Sequence, residues 1–82
     1  MGYHVRDIKK GTLGDFSKIA EEMAELTDAH EQSNPVMMLI EMSDLIGAMK
    51  AYLKKNCGNI KIEDLIVMQK ATERAFQDGS RT

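Results

Sequence analysis

The chain has 82 residues, room for one small domain spanning 1–82. Its content of 43% hydrophobic and 29% charged residues excludes a disordered chain. Its net charge of −2 argues against a protein that grips a nucleic-acid polymer by phosphate attraction. A core of this size is marginal alone, and such domains often gain stability by pairing with copies of themselves. The lone cysteine, Cys57, rules out an internal disulfide and the multi-cysteine zinc patterns, and points to a reducing, cytoplasmic setting. Arg6, Asp7, Lys9 and Lys10 interrupt any secretory signal. Glu41 and Asp44 interrupt the longest apolar stretch, so no membrane span is expected.

Met1–Thr12 reads as an extended or irregular arm, and Gly11 and Gly14 flank a short loop. A first helix is predicted over Asp15–Gln32. Phe16, Ile19, Ala20, Met23 and Leu26 recur there at helical spacing as one apolar stripe, with Glu21, Glu22 and Glu25 beside it. Glu21 is expected to face solvent. Ser33-Asn34-Pro35 breaks the helix; Asn34 can cap the next one, and Pro35 suits its first turn. The second helix is predicted over Pro35–Asn56, with Gly58 suited to the left-handed position after it. A third runs over Ile62–Gln77 and ends at Asp78-Gly79-Ser80. The short connection at Asn34–Pro35 makes the first two helices antiparallel neighbours. The fold class is all-α, with three helices per chain.

The second helix is unusual. At about 100° per residue, Leu39, Met42, Leu45, Ile46, Met49 and Leu53 cover a broad arc with Met38 and Tyr52. Ser43, Lys50 and Lys54 form a narrow strip that suits water. Glu41 and Asp44 fall roughly opposite that strip, bordered by Met37, Ala48 and Ala51. The helix therefore carries two separate polar sectors, and the acidic one points inward or into a partner.

Buried carboxylates without partners cost several kcal/mol each, or are forced to protonate. A divalent cation resolves the conflict. Mg²⁺ takes carboxylate oxygens and keeps waters for a substrate phosphate, and Mn²⁺ is an alternative. A spacing of three puts Glu41 and Asp44 on one helix face, and Glu22 and Glu25 repeat that geometry on the first helix. Two such pairs on antiparallel helices form an anionic cup, a common way for helix bundles to build a metal site. In the competing reading, Glu41 pairs with a lysine or arginine of another subunit.

"EEMAEL" followed by "EMSDLIGAM" resembles the signature of the MazG-like all-α nucleoside triphosphate pyrophosphohydrolases, E-x-x-E and then E-x-x-D after a spacer. The pairs here are Glu22-x-x-Glu25 and Glu41-x-x-Asp44, and the tail "KATERAFQDGSR" also resembles the family. The resemblance implies hydrolysis of an NTP or dNTP between the α and β phosphates. It implies Glu22, Glu25, Glu41 and Asp44 as Mg²⁺ ligands; one of these carboxylates, or neighbouring Glu21, can take the proton of the attacking water, and Glu22 or Glu25 is the choice for that base. It also implies a homodimer or homotetramer whose copies complete a four-helix-bundle-like core. The apolar arc of the second helix, too broad for one three-helix chain to cover, agrees with that.

The chain departs from the family where an Asn and a Lys often contact substrate. Thr72-Glu73-Arg74 stands there, and Arg74 is the candidate phosphate contact. Lys18 is a second candidate; Lys50, Lys54, Lys70 and Arg81 are weaker ones, each read first as surface. His4 and His30 are isolated and lack a ligand-spaced partner. Cys57 lacks a partner as a nucleophile. Tyr52 and Phe76 are read as packing residues. Gly11 and Gly14 do not form a phosphate loop. The runner-up functions are a non-catalytic helical oligomeric interaction module and a phosphoribosyl-ATP pyrophosphohydrolase.

Overall fold

The computed structural model describes residues 4–77 and 79. Three helices follow in order: α1 over Phe16–Glu31, α2 over Pro35–Asn56 and α3 over Ile62–Gln77. Their bounds match the sequence expectation to within one residue, and no strand occurs among the described residues.

Each boundary has a local cause. Gly14 adopts φ +94° and turns the chain into α1. At the far end the Gln32 and Ser33 amides return to the carbonyls of Asp28 and His30, and Ser33 takes the left-handed φ of 53°. Asn34 Oδ1 then accepts the Met37 N–H at 3.1 Å, and Pro35 occupies the first turn of α2, as its sequence suggests. The end of α2 differs from expectation. Cys57, at φ −140°, is the cap and donates its N–H to the Leu53 carbonyl, so Gly58 has no need of a left-handed conformation and does not adopt one. Asp64 in the first turn of α3 accepts the Lys61 N–H at 2.8 Å, so this carboxylate satisfies a backbone donor at the positive end of the helix.

α1 and α2 form an antiparallel hairpin. Its open end is closed by the Lys55–Asp15 ion pair, by Asn56 Nδ2 donating to the Gly14 carbonyl at 3.2 Å, and by Phe16 edge-on to Tyr52 with ring centroids 6.4 Å apart. The arm, residues 4–14, runs back along α1. Gly11 donates to Glu21 Oε1, Arg6 pairs with Glu31, and Val5 donates to Asp28 Oδ2. Gly11 lies so close to α1 that a Cβ there would sit 2.2 Å from the Ser17 carbonyl oxygen. α3 packs on α2 and makes no such contact with α1.

The chain turns many of its polar and apolar groups the opposite way from an ordinary small domain. Among the described residues the buried side chains are Ala29, Met37 and Ala48 on the apolar side, against Glu21, Glu22, Asp28 and Glu41 on the acidic side. Phe16 and Met23 of the α1 stripe are exposed, as are Leu39, Met42 and Ile46 of the α2 arc. Phe76, expected to pack, is 50% exposed. The accessible surface is 6183 Å², whereas a compact monomer of this mass presents about 4,900 Å². Among the described residues no helix is long and apolar enough to cross a membrane.

Candidate metal centre

The acidic face of α2 turns toward α1, and the turn at Ser33–Pro35 brings the two carboxylate pairs level. Glu22, Glu25, Glu41 and Asp44 each present an oxygen, and the four oxygens lie within 4.8 Å of one another. That is the cup expected from the two spaced pairs. Glu41 is 1% exposed and Glu22 nearly as buried, while Glu25 is half-buried and Asp44 stands at the exposed mouth.

So many like charges in a partly dry space are costly, and the groups respond. Burial pushes the Glu22 carboxyl up from its ordinary value; the neighbouring charges of Glu25 and Asp44 add to this, and Lys18 opposes it. Burial likewise pushes Glu25 up, reinforced by the charge of Glu41 and a hydrogen bond shared with it. Among the described residues, Glu22 Oε2 and Glu41 Oε1 are buried with no hydrogen-bond partner. Buried acceptors of this kind are destabilising unless something positive meets them. Carboxylate oxygens at this spacing suit a hard divalent cation, so the donor set fits Mg²⁺ or Mn²⁺.

Glu21 departs from expectation. It is 4% exposed rather than solvated, because the arm folds over it. Its Oε1 accepts the Gly11 N–H at 2.8 Å and Lys18 Nζ at 3.1 Å, and Lys10 lies 3.5 Å from Oε2. Burial alone would push its carboxyl up, but these donors outweigh burial and hold it below its ordinary value. Glu21 thus ties the arm to α1. Lys18 also reaches Glu22 at 3.4 Å, which sets its ammonium beside the cup.

Two residues of the site were not anticipated. His4 is part of the cluster and not an isolated surface residue. Its Nδ1 lies 2.8 Å from Asp28 Oδ2, and its Nε2 lies 2.8 Å from Glu41 Oε2 and 3.7 Å from Glu25 Oε2. Two ring nitrogens each at hydrogen-bond distance from a carboxylate suit an imidazolium, which donates from both. Burial pulls the His4 pKa down, but the carboxylates of Asp28, Glu41 and Glu25 outweigh it and raise the value above 6.5. Asp28 is fully buried; burial pushes its carboxyl up, but His4, the Val5 N–H and Gln32 bring it below its ordinary value. Asp28 was findable, since Glu22-x-x-Glu25-x-x-Asp28 extends the acidic register by one step. No local signal marks His4, because only the return of the arm brings it there.

The other candidates lie apart from the cup. His30 is exposed, as expected of it, and Cys57 is exposed as well. Lys50 and Lys54 line a cleft of about 470 Å³ with Lys61 where α2 meets α3, on the side of α2 roughly opposite Glu41. Arg74 is exposed on the last turn of α3, and among the described residues no hydrogen bond or ion pair joins it to the cup. Arg81, Asp78 and Ser80 lie outside the described residues. In comparisons with known proteins, no family model, no curated protein and no solved structure matches this chain.

Proposed function

We propose that the chain is a Mg²⁺-dependent nucleoside triphosphate pyrophosphohydrolase that converts an NTP or dNTP to a monophosphate and pyrophosphate. The observation that carries this reading is the convergence of the four carboxylates within 4.8 Å on two antiparallel helices. Buried oxygens of Glu22 and Glu41 without hydrogen-bond partners support it, since a cation would complement them. Glu22, Glu25, Glu41 and Asp44 would hold the ion, with Mn²⁺ as a substitute. When bound, the ion supplies charge neutralisation for the phosphates and acidifies a water.

The chain's own residues then divide the work. Glu25, whose carboxyl is pushed up by burial and by Glu41, has the raised basicity that suits it to take a proton from the attacking water. Glu22, shifted the same way, is the second candidate for that role. Lys18 beside the cup offers a positive charge to the phosphates, and Arg74 on α3 is a further phosphate contact. Asp44 at the mouth faces the side from which substrate enters. A homodimer or homotetramer would cover the exposed apolar residues of α1, α2 and α3 and complete a four-helix-bundle-like core.

The test is pyrophosphate release from a panel of ribo- and deoxynucleoside triphosphates, with Mg²⁺ and with chelator. Chelator-sensitive release from one or a few nucleotides is expected. A panel without turnover would favour a second reading, a helical oligomeric interaction module. The exposed Leu39, Ile46, Val67 and Met68 are the observation on its side.

A further inference from the structure

His4 has no place in the four-carboxylate reading, yet it is one of the better-fixed side chains of the cluster. Asp28 Oδ2 holds its Nδ1 at 2.8 Å and also accepts the Val5 N–H at 3.2 Å and Gln32 Nε2 at 2.8 Å. The backing carboxylate is therefore itself fixed, and fully buried. Holding Nδ1 aims Nε2 at Glu41 and Glu25, and the ligand atoms of His4, Glu25 and Glu41 lie within 4.8 Å of one another. This triple shares two residues with the carboxylate cup but not Glu22 or Asp44, so it forms a distinct end of the same cluster. Metal-ligating histidines are commonly built this way, with a carboxylate on the far nitrogen to set the tautomer and the ring orientation. Glu41, whose Oε2 faces His4, has its other oxygen, Oε1, buried without a donor and open to a cation.

We propose that His4 is a nitrogen ligand of the centre, binding a divalent transition cation of the Mn²⁺ class together with Glu25 and Glu41, and that Asp28 is its positioning residue. The proposal rests on the metal reading of the cup. In the ion-free chain a proton lies between Nε2 and Glu41; the cation takes its place and that proton leaves to solvent. An all-oxygen cup suits Mg²⁺, and one imidazole adds affinity for transition ions. The arm thus sets which cation the centre prefers.

The test uses the full chain without nucleotide, with Mn²⁺ and Mg²⁺ as the probes. Pulsed electron paramagnetic resonance of the Mn²⁺-loaded chain is expected to show nitrogen hyperfine coupling. His4→Gln keeps a polar partner for Asp28 but removes the imidazole. It is expected to lose the coupling and to bind Mn²⁺ about 10–100-fold more weakly by calorimetry. Its Mg²⁺ affinity should move by less than about threefold. Asp28→Asn should weaken Mn²⁺ in the same direction, and the double variant should bind no more weakly than His4→Gln alone, the mark of two residues acting as a unit. Wild-type Mn²⁺ binding without nitrogen coupling, or a His4→Gln variant with unchanged Mn²⁺ affinity, would overturn the proposal while leaving the carboxylate cup intact. Nitrogen coupling in a chain that hydrolyses no nucleotide would uphold His4 and sink the hydrolase reading instead. A chain that binds neither ion would overturn both.

Discussion

The interface between α1 and α2 and the outer surfaces of α2 and α3 are built on opposite rules. Between the hairpin helices and under the arm lie Glu21, Glu22, Asp28 and Glu41, all buried. On the outside lie Leu39, Ile40, Ile46, Ile66, Val67 and Met68, all substantially exposed. A domain that lived by its own core would place these groups the other way round. The difference separates two jobs. The hairpin interior is organised around charge, and gives up stability to hold carboxylates in a partly dry space. The outer face leaves in solvent the kind of apolar residue that the interior lacks.

The largest expected effect comes from breaking the interior. Glu41→Gln, or Asp44→Asn at the mouth, is expected to lower Mg²⁺-dependent pyrophosphate release by more than about 100-fold, beyond the cost of removing an outer-shell partner. The fold should survive. In chelator, Asp44→Asn removes one of the four like charges of the cup without touching the His4 contacts, and is expected to raise the melting temperature slightly. A Glu41→Gln variant that unfolds instead would identify Glu41 as a structural ion-pair partner of His4.

Breaking the outside should do the reverse. Leu39→Glu combined with Ile46→Glu is expected to leave the cup intact but to convert a dimer or tetramer to monomer in sedimentation equilibrium. If the wild-type chain already sediments as a monomer, the apolar face has some other occupant.

The pH dependence sharpens the contrast. His4 has its pKa raised above 6.5, so its contribution to stability is complete below that value and is lost as pH rises through the raised one. Glu22 and Glu25 are raised above 4.5, so they too bind more protons in the folded chain and cost stability as pH rises through their shifted values. Glu21 and Asp28, shifted down from 4.5 and 3.8, contribute stability above those values and lose it as pH falls. In chelator the melting temperature is therefore expected to peak in mild acid and fall toward about pH 8. Saturating Mg²⁺ should reverse most of the alkaline loss by neutralising the cup. A flat profile in chelator would mean the carboxylates are solvated in solution.

Smaller effects follow at the edges of the site. Gly11→Ala drives a Cβ against the Ser17 carbonyl and should cost about 2 kcal/mol in chemical denaturation, with faster proteolysis of the arm. Arg74→Ala should leave stability within about 0.5 kcal/mol and show itself only as a higher KM for nucleotide. An unchanged KM would remove Arg74 from the substrate contacts.

Much of the architecture could be read from the sequence because its causes are local. Asn34 and Pro35 start α2 through a side-chain cap and a fixed φ, and the apolar repeats are long enough to mark each helix. The acidic pairs were equally legible, since a spacing of three puts two side chains on one face whatever the tertiary context. Where a residue's partner comes from the irregular arm, local spacing carries no signal. Glu21 looked like a solvated acid and is buried, because Gly11 and Lys10 of the arm close over it. His4 looked isolated and sits against Asp28 and Glu41, 24 and 37 residues away in sequence.

The sequence by itself therefore determined three helices, an antiparallel first pair, and two carboxylate pairs each confined to one helix face, because short-range periodicity and capping act within a turn or two. Tertiary structure alone decided that the two pairs meet level with one another, that part of each apolar stripe stays exposed, and that the arm returns to place a histidine over the acids. Those outcomes depend on the rotation of one helix about another and on a backbone approach that only Gly11 permits, and neither leaves a mark in local spacing.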